Sequence, residues 1–173
     1  MEIQTIIESL ANLAKQNNTI YTEGGYLLEK PWILREGATK EQVKLFESKG
    51  YKIPQDLYQL LMFSNGIECG CSEQQIFDIG TLIEQEKVNR SEFRPGIYNF
   101  AYFFGDRLFI DSSLIDSGNY IFFEGSGFNN GNLIGCDFIT FLERLILCNF
   151  HNYWRWLDYP QKTISYLNDC FCK

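Results

Sequence analysis

Ile3, Ile6, Ile7, Leu10, Leu13 and Ala14 recur at steps of three and four, which lays one apolar stripe along a first helix that the polar run Gln16-Asn17-Asn18 ends. The following stretch TIYTEGGYLLEKPW alternates poorly and carries Gly24-Gly25 and Pro31, so it reads as an extended connector with a short edge strand, and Trp32 is expected to pack on the core. A second helix is predicted over 40–49. Thr39 and Gln42 have the spacing of a capping box, Val43 and Phe46 share a face, and Gly50 suits the left-handed geometry that stops a helix. A third helix starts at Pro54, whose missing amide hydrogen costs nothing at a first helical position, and it runs to Asn65-Gly66. Leu57, Leu60 and Leu61 are its buried stripe, and Asp56 suits its positive first turn.

The pattern changes after residue 75. QIFDI reads as a strand, TLIEQEKVNRSEF as a polar helical turn or two, and IYNFAYFF, RLFIDSS and YIFFEG as three strands. Gly105-Asp106 and Asp116-Ser117-Gly118-Asn119 separate those three strands, which predicts an antiparallel meander. Beyond the loop SGFNNGN, Asp137 is positioned to cap a closing helix whose Phe138, Phe141, Leu142, Leu145 and Ile146 keep helical spacing. The tail from Asn149 continues the helical pattern, breaks at Pro160 and resumes briefly from Thr163. The expected fold is a single α+β domain over residues 1–173: a mainly antiparallel β-sheet with N-terminal helices and a C-terminal helix packed against it.

Composition sharpens this picture. With 173 residues, 45% hydrophobic and 21% charged, the chain suits one soluble globular domain able to bury its own core. Its 15 Phe, 10 Tyr and 3 Trp favour pleated surfaces and interface cores. The net charge of −7 argues against binding a phosphate backbone, which needs Lys and Arg in excess, and points toward a cationic partner. Glu2 stands where an export signal would carry positive charge, and no apolar run approaches the ~18 residues of a membrane span, so a cytoplasmic location is expected. In that reducing compartment the six cysteines read as free thiols.

Two helices feeding an Ile-Pro-x-Asp, Leu-Leu, Ser-Asn-Gly block, then a meander and a Phe-x-x-Phe-Leu helix, form an ordered series carried by specific residues. They are Ala38, Thr39, Val43, Phe46, Glu47, Gly50, Ile53, Pro54, Leu57, Leu60, Leu61, Asn65 and Gly66, then Gly105, Ile110, Asp111, Phe138, Phe141 and Leu142. This series resembles the SUKH superfamily (SMI/KNR-like domain) over about residues 38–147, roughly two thirds of the chain, with 148–173 as an additional aromatic tail. Ile53 departs from the commoner Leu before the proline, and CGCSEQ at 69–74 has no family equivalent. The resemblance implies, for bacterial members, an immunity protein that binds a toxin made by its own cell; other members are regulatory or scaffold modules. Neither role requires catalysis.

Site chemistry agrees with a non-enzyme. His151 is the only histidine, and it stands in an aromatic stretch of helical pattern where a structural or surface role is expected, which makes a serine or cysteine triad hard to build. Asp106 and Asp111 could pair as acid and base, yet they flank and follow an expected turn, where capping and solvation account for them. Cys69-Gly70-Cys71 and Cys170-Phe171-Cys172 are spaced too tightly for a zinc ribbon, and GSGFNNGNLIG lacks the Gly-Lys-Ser/Thr ending that grips phosphate. No metal or cofactor is expected.

Phe150, Tyr153, Trp154, Trp156 and Leu157 surround most of a predicted helix, and either complete the core or leave an aromatic patch outside. The expected partner-binding surface is a set of acids at the sheet rim, Glu68, Asp78, Asp106, Asp116 and Glu124, with Trp154 as an aromatic anchor. The expected partner is a cognate toxin, basic because it attacks nucleic acid, with no direct nucleic-acid or membrane contact by this chain. Whether the protein works alone or as a homodimer stays open.

Overall fold

The computed structural model of the protein describes residues 3–15, 20–21, 27–28, 32–68, 73–125, 132–148, 150–155 and 162–163. Helix α1 (Ile3–Lys15) buries Ile3, Ile6, Ile7 and Leu10 of the predicted stripe, while Leu13 and Ala14 pack against the core half-buried. In α2 (Lys40–Glu47) the capping box is formed in both directions: Gln42 N–H donates to Thr39 Oγ1 at 3.2 Å and Thr39 N–H to Gln42 Oε1 at 2.8 Å. The helix stops two residues short of the expected end, and Gly50 turns the chain at φ +95°. Helix α3 (Gln55–Phe63) places Pro54 one position earlier than expected, as the flanking cap residue with ψ 145°. Its carbonyl accepts from Tyr58 N–H at 2.9 Å, the first helical bond. Asn65, at the far end, accepts from Ile79 N–H at 2.9 Å and so ties the end of α3 to the start of α4 (Ile79–Glu84).

Two short strands, β1 (Ile20–Tyr21) and β2 (Leu27–Leu28), pair with each other. The other strands are β3 (Ile33–Leu34), β4 (Ile67–Glu68), β5 (Gln74–Ile76), β6 (Ile97–Phe103), β7 (Asp106–Asp111), β8 (Ile121–Glu124), β9 (Asn132–Leu133) and β10 (Lys162–Thr163). Among the described residues they form one eight-stranded sheet in the order β10-β9-β8-β7-β6-β5-β4-β3, antiparallel at every junction. The chain is thus an α+β domain with the expected meander at its centre.

Strand alternation divides the side chains between two faces. Tyr98, Leu108, Ile110, Ile121 and Phe123 join Leu10, Phe46, Leu60 and Phe141 from the helices in the main core. Ile97, Phe109 and Phe122 point the other way and close against Phe93, at the end of α5 (Glu86–Glu92), in a smaller cluster. Complete burial of one such ring contributes about 1.5–3 kcal/mol, so the sheet is anchored on both sides. The closing helix α6 (Phe138–Leu147) begins at Asp137, whose carboxylate accepts from Thr140 N–H at 2.8 Å, and buries Phe138, Phe141, Leu142 and Leu145.

Three local expectations are corrected. The β6–β7 turn is centred on Phe104 (φ +46°) and Gly105 (φ +87°), one residue before the predicted Gly105-Asp106. Both central residues are left-handed, as a two-residue loop of type I′ requires, and Asp106 becomes the first residue of β7. The predicted tight turn at 116–119 is instead a 3-10 helix, Ser112–Ser117, capped by the Asp111 carboxylate on Ser113 N–H and stopped by Gly118 at φ +71°. The tail does not extend α6: Phe150 takes φ +62° and its N–H donates to Leu145 O at 2.7 Å, which closes the helix and leads into a 3-10 turn, Tyr153–Arg155. Lys162 and Thr163 pair with β9 as a strand rather than beginning a helix. The expected break at Pro160 and the residues after Thr163 lie outside the described residues.

Candidate functional site

Two of the six residues expected on a binding rim are inside the protein. Asp106 and Trp154 are both 0% exposed. Because β7 starts at Asp106, its side chain follows the same alternation as Leu108 and Ile110 and enters the core. There it accepts from Trp154 Nε1 at 2.8 Å, Asn152 Nδ2 at 3.0 Å and Arg155 Nε at 2.6 Å, with a second Arg155 contact on its other oxygen. Asp111 is equally buried and pairs with Arg94, so burial and pairing, not solvation, account for both carboxylates.

Three more rim acids are on the surface but engaged. Glu68 and Asp78 share Arg35, each at 3.2 Å. Asp78 also caps α4, accepting from Thr81 N–H at 3.0 Å and the Thr81 hydroxyl at 2.9 Å. Burial alone would raise its pKa, but these Thr81 bonds and the Arg35 charge outweigh it and hold the carboxyl below its ordinary value. Glu124 pairs with Arg107 across the β7–β8 register, and Arg107 also reaches Glu92 at 2.7 Å and lies over the Phe109 ring.

Asp116 is different. It is exposed, makes no ion pair among the described residues, and stands at the edge of an open cleft of about 380 Å³. Pro54, Asp56 and Gln59 of the α3 segment form one wall, the 3-10 helix from Ser112 to Ser117 a second, and Tyr120, Asp137 and Ile139 the floor and third side. Three elements distant in sequence meet here because Asp56 links them: it accepts from Tyr120 Oη at 3.1 and 3.2 Å and from Ile139 N–H at 3.0 Å. Tyr120 Oη in turn accepts from Phe138 N–H at 2.8 Å. Burial raises the Asp56 pKa against the opposing pull of these donors, and burial together with the Asp56 charge raises that of Tyr120. Among the described residues the cleft therefore offers one carboxylate without an ion pair, Asp116, beside two that organise its walls, Asp56 and Asp137.

Sequence reasoning placed Asp116 correctly on the surface and missed the cleft, since Asp56 and Asp137 looked like helix-end residues only. It also missed the exposed aromatics: Phe63 is 41% and Phe104 39% exposed, while Trp154 packs edge-on against Phe103 and Tyr153. Trp156 and Leu157, the Cys69/Cys71 and Cys170/Cys172 pairs and most of the glycine-rich loop lie outside the described residues.

Chemically the cleft can accept hydrogen bonds and attract cations. Among the described residues no group of three His, Cys, Asp or Glu side chains gathers closely enough to hold a metal ion. The two described cysteines are poor nucleophiles: burial pushes the Cys136 thiol up to about 12, and burial also raises that of Cys148. Among the described residues no helix is long and apolar enough to cross a membrane. Compared with known proteins, the chain matches no family model and no curated sequence.

Proposed function

We propose that this chain is a cytoplasmic, non-catalytic immunity protein of the SUKH type, which binds a basic toxin and blocks it by occlusion. The observation that carries the reading is Asp116: an exposed carboxylate that makes no ion pair among the described residues, beside an open cleft walled by Asp56 and Asp137, on a chain of net charge −7. An acidic cleft attracts cationic side chains, speeds encounter and disfavours acidic competitors. The ordered series from Ala38 to Leu142 that resembles the superfamily supports the same reading, and its Pro54 and Asp56 line the cleft.

The test is capture and protection. Tagged protein is expected to retain a basic toxin encoded beside its gene at low salt, and co-expression is expected to rescue growth. Asp116→Lys should slow association with that toxin by about tenfold and flatten its salt dependence. Rescue that is absent against every neighbouring toxin refutes the immunity reading. Stable capture of endogenous proteins instead assigns the chain to recruitment, the regulatory alternative.

A further inference from the structure

An open groove of about 610 Å³ lies where the last turns of α1, the chain entering β3 and the end of α3 meet. Helix α1 contributes Ala11 and Ala14, three apart and so on one side of the helix, and their small side chains leave the space open. Trp32, Ile33 and Leu34 line it from β3, and Phe63 from the last position of α3. Ile33 is 45% exposed, so together with Phe63 it leaves apolar surface facing water on this side of the molecule.

The two polar side chains on this lining are both donors. Lys15 is exposed and makes no ion pair among the described residues. Trp32 is 6% exposed and packs against the Phe150 ring at 3.7 Å between ring centres, and its buried indole N–H has no acceptor. The contrast is Trp154, whose indole donates to Asp106. A buried donor without an acceptor has already lost its water, so an oxygen brought to it gains a hydrogen bond without that desolvation cost. No acidic side chain lines the groove to compete for either donor. What fits is therefore apolar along most of its length and carries negatively charged oxygen at one point, and the volume lies within the range of about 300–1,000 Å³ usual for small-ligand sites.

We infer that this groove binds a free carboxylic acid with an apolar tail, of the fatty-acid class. Lys15 and the Trp32 indole donate to its carboxylate, and the tail lies along Ala11, Ala14, Ile33, Leu34 and Phe63. The site is independent of the toxin-binding reading, since none of its residues lines the acidic cleft.

Octanoate is the probe. Titrated into the full chain, it is expected to shift the Trp32 indole N–H resonance saturably, that resonance being identified by its loss in Trp32→Phe. Methyl octanoate, the same chain with its charge removed, is expected to bind about tenfold more weakly. Lys15→Gln should weaken octanoate by about tenfold and leave the ester unchanged. If Lys15 serves only the carbonyl end of α1, its replacement lowers the melting temperature and leaves octanoate binding as it was, which overturns the site. A shift that never saturates overturns it too, as does an ester that binds as tightly as the acid, the mark of an esterified lipid or of apolar partition alone. The two titrations of the parent protein decide the matter even where Lys15→Gln fails to fold.

Discussion

Asp106 and Arg155, 49 positions apart, form an ion pair in which the carboxylate is wholly buried and the guanidinium is partly exposed. The same carboxylate holds Asn152 and Trp154, so a single residue at the start of β7 fastens the chain segment that follows α6.

Cutting one partner should therefore cost much more than a surface pair. Asp106→Ala leaves the Trp154 indole, Asn152 and Arg155 without their common acceptor, and a loss of about 3–5 kcal/mol is expected in urea unfolding, with a changed near-ultraviolet signal from Trp154. Arg155→Gln, which leaves the buried carboxylate uncompensated, should lie in the same range. A loss below about 1 kcal/mol, the level of an exposed pair, would contradict the hub.

Gly125 tests the same junction by crowding. A methyl group there would collide with Asp106 Oδ1 and the Arg155 guanidinium. Gly125→Ala is expected to destabilise by about 2–3 kcal/mol through displaced charges and overpacking. Gly105→Ala is the control, because it meets nothing within 4 Å and carries only the strain of φ +87°, about 1 kcal/mol. Thermal melts that rank the two in the opposite order would refute the packing argument.

The carboxyl of Asp56 titrates above its ordinary value of 3.8, chiefly because it is buried. The folded chain therefore binds that proton more tightly than the unfolded chain, and the stability this gives is complete below the unfolded value and lost as pH rises through the folded one. Asp78 runs the other way: its lowered value gives stability that is present above 3.8 and lost on acidification. In urea melts from pH about 3 to about 7, the stability difference between the parent and Asp56→Asn should favour the parent most at the acid end and shrink as pH rises. A gap that widens with pH would show that Asp56 is stabilised as an anion.

Asp116 should behave as a recognition residue with no structural duty. Asp116→Asn is expected to change unfolding free energy by no more than about 0.5 kcal/mol, in contrast to Asp106→Asn. A large loss of stability would mean that the cleft depends on Asp116 for its shape.

What could be read from the chain follows the range of the interactions. Thr39 with Gln42, and Asp137 with Thr140, are bonds between residues three apart, and both appear as the spacing predicts. The helical stripes and the central meander were legible for the same reason. The one-residue error at the β6–β7 turn had a larger effect than its size, since it moved Asp106 from a solvated loop to the inward-facing row of a strand. No local signal marks that row, because the partners of Asp106 are 46 to 49 residues away. The left-handed Phe150 was equally hidden: the apolar spacing after Leu147 is helical, and a backbone reversal at a phenylalanine has no signature of its own. The acidic cleft joins three segments through Asp56 and Tyr120, a meeting that only the tertiary fold creates.

At one edge of the large sheet β3 contains two residues, whereas β6 at its centre contains seven. A ladder that tapers in this way offers an incoming strand from another molecule almost no template on which to zip. For a chain with 45% hydrophobic residues, that edge thus gives other copies of the same chain little purchase for strand-to-strand association.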